Sequence, residues 1–227
     1  MDRDELLTVL RAFEEQNIEY VLIGATAMGF HGLVRATEDI DLLIRPTPQN
    51  VERLRQAPKA AYADDPNIED IRTEDLLGDY PAVRYYPARG DLFFDILTRL
   101  GDAARYENVA SEVKEVQGVR IWVATPQALY PLKKNTVRPI DRQDATALGS
   151  NSSLGTNKMP VEKFRSIEEM NAAPIRADAR IVFERFVRHC NRYRLIWQNN
   201  NPHGVFKFRS IKEAQDARAL SGQTQNT

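Results

Sequence analysis

The sequence predicts an α/β fold with a mixed sheet, and the first 44 of its 227 residues carry the main observations. Residues 20–23 and 40–44 are short apolar runs rich in β-branched side chains, which is typical of buried strands. Residues 4–16 place apolar side chains at i, i+3 and i+4 spacing, which predicts an amphipathic helix packed on the sheet. Between the strands, Gly24-Ala25 predicts a tight turn that leads into a short helix ending near Gly32.

Two carboxylates, Asp39 and Asp41, accompany the second predicted strand. Side chains alternate along a strand, so both point to one face while Ile40 and Leu42 point to the other. Two partly buried carboxylates on one face repel each other and lose hydration. A divalent cation relieves this repulsion, and Mg²⁺ prefers oxygen ligands and commonly joins one or two carboxylates to substrate phosphates. The pair therefore indicates a magnesium site.

Three further strands are predicted at residues 82–86, 91–97 and 119–123, the first two joined by a turn at 87–90. Asp95 lies inside the apolar run of the second, where an unpaired carboxylate would cost several kcal/mol, about the penalty for a buried ion. Two explanations stand side by side. Asp95 forms a salt bridge with a nearby arginine such as Arg84, or it is the third carboxylate of the metal site, which we favour.

These motifs together resemble the polymerase-β-like nucleotidyltransferases. A glycine and a small residue, Gly24-Ala25, are followed after thirteen residues by the strand-borne Asp39-x-Asp41. The fuller string, which adds His31-Gly32, Arg35 and Thr37, resembles the AbiEii-type nucleotidyltransferase toxins of bacterial toxin–antitoxin systems over residues 4–148. That family usually has Gly-Gly or Gly-Ser where this chain has Gly24-Ala25, so Ala25 offers a backbone amide to a phosphate but no hydroxyl.

A late motif extends the resemblance. Thr125-Pro126 predicts a helix N-cap with proline at the first position, and the helix carries Lys133 and Lys134. In the related toxins a Lys-bearing helix is followed by an Arg…Arg-x-x-Asp element, here including Arg138 and Asp144. One of the two lysines is expected to meet the triphosphate as a point charge, with either remaining a candidate.

The resemblance implies a palm domain that transfers a nucleoside monophosphate from an NTP to an acceptor hydroxyl with two Mg²⁺ ions. Its implied acceptor is an RNA 3′ end, such as that of tRNA; a small molecule, as in aminoglycoside-modifying relatives, is the alternative. The residues that it assigns are the catalytic and metal-binding Asp39, Asp41 and Asp95, the nucleotide-binding Gly24, Ala25, Arg35, Lys133 and Lys134, and the supporting Thr37, Arg138 and Asp144.

The cysteine content and the distribution of apolar residues exclude several classes of protein. The single cysteine, Cys190, excludes internal disulfides and Cys-rich zinc sites. No run approaches the ~20 apolar residues of a membrane span, and the acidic N-terminus does not resemble a signal peptide. We therefore expect a cytoplasmic protein without membrane contact. His31 has no second His or Cys at ligand spacing, so a structural role is expected.

Charge and composition divide the chain in two. Residues 1–150 hold 18 Lys and Arg against 25 Asp and Glu, whereas residues 151–227 hold 13 against 7. Residues 149–158, rich in Gly, Ser and Asn, read as a linker between a nucleotidyltransferase domain at 1–148 and a small basic, helix-rich module at 159–227. An acidic module tethered to a basic one predicts an intramolecular contact.

The basic module contains a repeated strand–helix pattern. Residues 161–169 are echoed by 205–213, and each copy ends in Ser-x-x-Glu, the capping box that starts a helix. The opening resembles short FRSIEE-type proteins encoded beside such transferases, which are presumed antitoxins. The resemblance implies a tethered inhibitor; an RNA-binding module, using basic side chains with Phe164, Phe206, Phe208 and Trp197, is the alternative.

Overall fold

The structure, a computed structural model, describes residues 2–33, 36–37, 39–90, 92–100, 104–134, 144, 146–148, 179–194 and 202–223. Its α-helices are α1 (Arg3–Glu15), α2 (Gly24–Phe30), α3 (Pro48–Gln56), α4 (Thr73–Leu77), α5 (Pro126–Lys134), α6 (Ala179–Arg194) and α7 (Ile211–Gln223). Its strands are β1 (Tyr20–Ile23), β2 (Asp39–Ile44), β3 (Ala82–Tyr86), β4 (Phe93–Leu97), β5 (Arg99–Leu100), β6 (Ala104–Arg105), β7 (Ser111–Val116), β8 (Val119–Ala124) and β9 (Gly204–Phe208). Short 3₁₀ turns cover Ala57–Ala60, Pro66–Asp70 and Tyr106–Asn108.

Within the described residues, seven strands form one mixed sheet in the order β7-β8-β1-β2-β4-β3-β9. β1 runs parallel to β8 and antiparallel to β2, and β2 runs parallel to β4. β3 lies antiparallel to both β4 and β9. The predicted mixed α/β fold is therefore confirmed, with the Asp-bearing strands β2 and β4 side by side in the middle of the sheet.

Local sequence signals explain where several elements begin. The side chain of Asp2 accepts a hydrogen bond from the backbone N–H of Glu5 and caps α1, whose apolar stripe is buried on the sheet. The hydroxyl of Thr125 accepts a hydrogen bond from the backbone N–H of Ala128 at 3.2 Å, which confirms the predicted cap of α5. β1 is buried along its whole length, as its continuous apolar run predicts.

The C-terminal part of the chain contributes directly to the sheet and the core. β9 extends the sheet beyond β3, and α6 packs against α2. Phe183 stacks on Phe30 with ring centroids 5.4 Å apart, and Phe186 is fully buried beside Gly29. Arg3 of α1 donates a hydrogen bond to Glu184 at 2.8 Å. Residues 179–194 and 204–208 thus contact the N-terminal part of the chain, while the predicted domain boundary at residue 148 stays a prediction.

The second copy of the repeat has the predicted local structure. The hydroxyl of Ser210 accepts a hydrogen bond from the backbone N–H of Glu213 at 3.1 Å, and the Glu213 carboxylate accepts one from the N–H of Arg209. The Ser210 half of the predicted capping box is therefore confirmed, whereas the Glu213 carboxylate binds the N–H of the residue before the N-cap. The first copy, at 161–169, and the linker at 149–158 lie outside the described residues. Among the helices that the structure describes, none has the length and apolar character needed to cross a membrane.

Candidate functional site

Three carboxylates meet on one face of the sheet, where β2 and β4 lie side by side. The register pairs Asp41 with Asp95 and places Asp39 opposite Phe93. Because side chains alternate along a strand, this register puts Asp39, Asp41 and Asp95 on the same face. One oxygen from each carboxylate lies within 4.8 Å of the others. The structure thus brings together the three acidic residues singled out in the sequence.

Two threonines hold Asp39 in place. The hydroxyl of Thr37 donates a hydrogen bond to Oδ1 of Asp39, and that of Thr26 donates one to its backbone oxygen at 2.8 Å. Asp39 and both threonines are buried. Thr37 was expected to support the site, whereas Thr26 was not singled out. It occupies the second position after Gly24, in the first turn of α2.

Gly24 begins α2 directly against Asp41. Its φ is +68°, in the left-handed region that favours glycine, and a Cβ built there would lie 1.8 Å from Oδ2 of Asp41. Two independent reasons therefore require glycine at this position: the left-handed backbone conformation and the close approach of the Asp41 carboxylate. Ala25 is buried at the next position. The predicted turn thus lies beside the carboxylates.

Asp95 also forms the salt bridge that was the alternative explanation for its burial. Nε of Arg84 donates to Oδ1 at 2.6 Å, and a terminal nitrogen donates to Oδ2 at 2.9 Å. Both side chains are buried. The arginine pairing and the carboxylate cluster occur together, since each carboxylate oxygen has two lone pairs and the guanidinium fork engages one on each.

The late motif contributes a buried ion pair. Nζ of Lys133, on α5, lies 3.4 Å from Oδ2 of Asp144, and each side chain is 9% exposed. Asp144 therefore orients Lys133. Lys134 ends α5, and its side chain lies outside the described residues, as do Arg35 and Arg138.

His31 closes α2 and has structural partners. Its Nε2 donates a hydrogen bond to the backbone oxygen of Ala124 at 2.8 Å, and its Nδ1 lies 3.5 Å from a carboxylate oxygen of Glu112. Burial is the main cause that lowers its pKa, so the neutral ring is favoured. These contacts agree with the expected structural role.

The carboxylate cluster fits a magnesium ion. Mg²⁺ binds oxygen ligands at about 2.0–2.1 Å in octahedral geometry, so ligands on opposite sides lie about 4.2 Å apart. Carboxylate oxygens within 4.8 Å of one another need only small side-chain rotations to reach such a sphere. Arg84 offsets one of the three negative charges, which leaves a net charge suited to a divalent cation.

Comparison with known proteins identifies the family. A family model described as "Nucleotidyl transferase AbiEii toxin, Type IV TA system" matches residues 6–136. None of the curated proteins that were compared matches the chain. Among solved structures, the crystal structure of ANT(2″)-Ia in complex with adenylyl-2″-tobramycin is similar at 16% identity and a TM-score of 0.39, covering 67% of this chain and 91% of that one. The family model spans more than half of the sequence, and the chain therefore belongs to the AbiEii nucleotidyltransferase toxin family of type IV toxin–antitoxin systems and is a nucleotidyltransferase.

Proposed function

We propose that the chain transfers a nucleoside monophosphate from an NTP to the 3′ hydroxyl of an RNA, with tRNA as the preferred class. The observation that carries the chemistry is the convergence of Asp39, Asp41 and Asp95 within 4.8 Å on one sheet face. The acceptor class is supported by membership of a toxin family, since extending an RNA 3′ end would block its use in translation.

Several residues of the chain have distinct roles in the proposed reaction. Thr37 holds a carboxylate oxygen of Asp39 and Thr26 holds its backbone oxygen, while the carboxylate of Asp41 lies directly against Gly24. Lys133, held by Asp144, supplies a point charge toward the triphosphate. Gly24-Ala25 lets the backbone approach the phosphates. Arg35 stabilises the negative charge that develops on the phosphate oxygens in the transition state.

The covalent step is an in-line displacement. The acceptor oxygen bonds to the α-phosphorus while the bond from that phosphorus to the bridging oxygen breaks, and its electron pair leaves with pyrophosphate. The proton of the hydroxyl passes to the carboxylate of Asp95. Asp39, Asp41 and Asp95 would hold two Mg²⁺ ions, which when bound polarise the phosphate and stabilise the attacking and leaving oxygens.

Labelled nucleotides test the acceptor directly. The full chain is incubated with Mg²⁺, each α-labelled NTP in turn, and either purified tRNA, total RNA or a mixture of small hydroxyl compounds. We expect label in tRNA that is removed by 3′ exonuclease, and none with Asp41→Asn, which keeps the side-chain shape without the charge. Label only in the small-molecule fraction would replace RNA by the alternative acceptor. No label in any fraction, both with the intact chain and after cleavage within 149–158, would contradict the proposal.

We further propose that residues 159–227 act as a tethered inhibitor. The opposite charge balance of the two halves supports this role, as does the docking of α6 and β9 on the nucleotidyltransferase domain. A protease site placed within 149–158 allows the tether to be cut in the folded protein. We expect transfer to rise after cleavage and dilution, with the relief of inhibition exceeding the loss caused by removing α6 and β9 from the core and the sheet. An unchanged rate would contradict inhibition, and salt-sensitive RNA binding that is lost with the released segment would indicate RNA recruitment instead.

A further inference from the structure

Arg84 stands beside the carboxylate cluster in a fixed geometry. It lies directly opposite Asp95 in the antiparallel β3–β4 pair. Its Nε and a terminal nitrogen both donate to that carboxylate, at 2.6 and 2.9 Å. Two parallel hydrogen bonds from one guanidinium fix the plane of the carboxylate as well as its distance from the guanidinium. The orientation of Asp95 is therefore determined by Arg84.

Two aromatic rings hold Arg84 itself. The guanidinium carbon lies 5.8 Å from the ring centroid of Phe93 on β4 and 5.5 Å from that of Phe208 on β9. Such cation–π contacts are strongest where water is excluded, and Arg84 is only 4% exposed. Phe93 belongs to the strand that carries Asp95, whereas Phe208 comes from the C-terminal strand. Residues from two distant parts of the sequence thus keep one guanidinium in place.

The torsion that rotates an aspartate carboxylate about its terminal bond is broad, so an unrestrained carboxylate samples many planes. A metal ligand must present an oxygen in one direction, and groups that orient a ligand are worth about 10- to 100-fold in metal affinity or activity. We propose that Arg84 is the positioning residue for Asp95, and that Phe208 completes its support. The C-terminal strand then contributes to the metal site, in addition to any inhibitory role of the module.

Replacing arginine by lysine separates geometry from charge. Arg84→Lys keeps a positive charge near Asp95 but offers a single donor point in place of the fork. Mn²⁺ is added to the nucleotide-free full chain, and the unbound ion is followed by electron paramagnetic resonance. We expect Mn²⁺ affinity to fall by about 10- to 100-fold. In the transfer assay we expect kcat to fall by a similar factor with little change in KM for the NTP.

Matched controls come from the same chain. Arg120→Lys alters another arginine–carboxylate contact, 2.6 Å to Glu14 on the surface, and should leave Mn²⁺ binding unchanged. Phe208→Leu should lower Mn²⁺ affinity by a smaller factor than Arg84→Lys. Val205→Ala, on the same strand but opposite Tyr85 on the other face of the sheet, should not lower it. Phe208→Leu also keeps the test decisive if Arg84→Lys fails to fold.

The results of the Mn²⁺ titration distinguish failure of this inference from failure of the proposed function. The transfer measurement rests on the proposed function, whereas the Mn²⁺ measurement does not require transfer. Mn²⁺ binding by the original chain with no effect of either Arg84→Lys or Phe208→Leu would overturn the positioning role alone. Tighter Mn²⁺ binding by either variant would also overturn it, because Arg84 would then compete with the ion for Asp95. A chain that binds no Mn²⁺ at the carboxylates at all would instead overturn the metal site of the proposed function.

Discussion

Gly24 gives the sharpest test of the site geometry. In Gly24→Ala, the new methyl group would lie 1.8 Å from Oδ2 of Asp41, whereas ordinary contacts begin at 3.4 Å. The carboxylate or the turn must therefore move by about 1.6 Å, and a misplacement of about 1 Å costs on the order of 100-fold in rate. The left-handed backbone adds about 1–2 kcal/mol of instability. We expect nucleotidyl transfer to fall by about 100-fold or more.

A second glycine provides the control. Gly118 has a φ of +75°, close to the +68° of Gly24, but a Cβ there would meet no atom within 4 Å. Gly118→Ala should therefore lose about 1–2 kcal/mol in urea unfolding and keep full transfer activity. The difference between the two variants isolates the clash with Asp41. Equal transfer rates for Gly24→Ala and Gly118→Ala would refute the reasoning.

Three further predictions concern stability. Phe186→Ala should lower the free energy of unfolding by about 3–5 kcal/mol in urea titrations, because this ring is fully buried between α6 and α2; a loss typical of a surface residue would show that α6 is not part of the core. Lys133→Met should lower the free energy of unfolding by about 3–5 kcal/mol, because it removes one partner of a buried ion pair. The double variant with Asp144→Leu should recover part of that loss in a double-mutant cycle. Folding lowers the pKa of His31 from its ordinary value of 6.5, so the unfolded chain binds a proton on this ring more readily than the folded chain. The stability contributed by burying the neutral His31 ring is therefore present above pH 6.5 and declines as the pH falls below it. His31→Gln should flatten that decline in unfolding curves measured between pH 7.5 and about 5.5, and an unchanged slope would contradict the assignment.

Strong local signals were enough to predict the centre of the sheet. Residues 20–23 and 82–86 are strands with the predicted bounds, because apolar, β-branched runs bounded by turn residues have few alternatives. The relation between Asp39 and Asp41 followed from strand alternation alone. Asp95 was expected to join them because a carboxylate inside an apolar run needs a partner. The position of β4 beside β2 had no local signal, since strand order is decided by long-range packing.

Other features had no local signal. β7, with the sequence Ser-Glu-Val-Lys-Glu-Val, lies at the edge of the sheet and lacks the strict alternation of a half-buried strand. Val113 is 42% exposed, so this segment resembles a surface loop in its sequence. The support of Arg84 by Phe208 joins residues far apart in the chain, and periodicity contains no information about such contacts. Arg84 was named only as a salt-bridge partner, because its second contact arises from the addition of β9 to the sheet.

The position of β9 has a consequence for how the protein is made. β3 pairs with a strand at residues 204–208, so this edge of the sheet stays open while the intervening chain is being translated. Pairing over such a separation carries a large loop-closure entropy and forms late. On the ribosome, the sheet reaches full width, and Arg84 gains its second aromatic neighbour, only after Phe208 has left the exit tunnel.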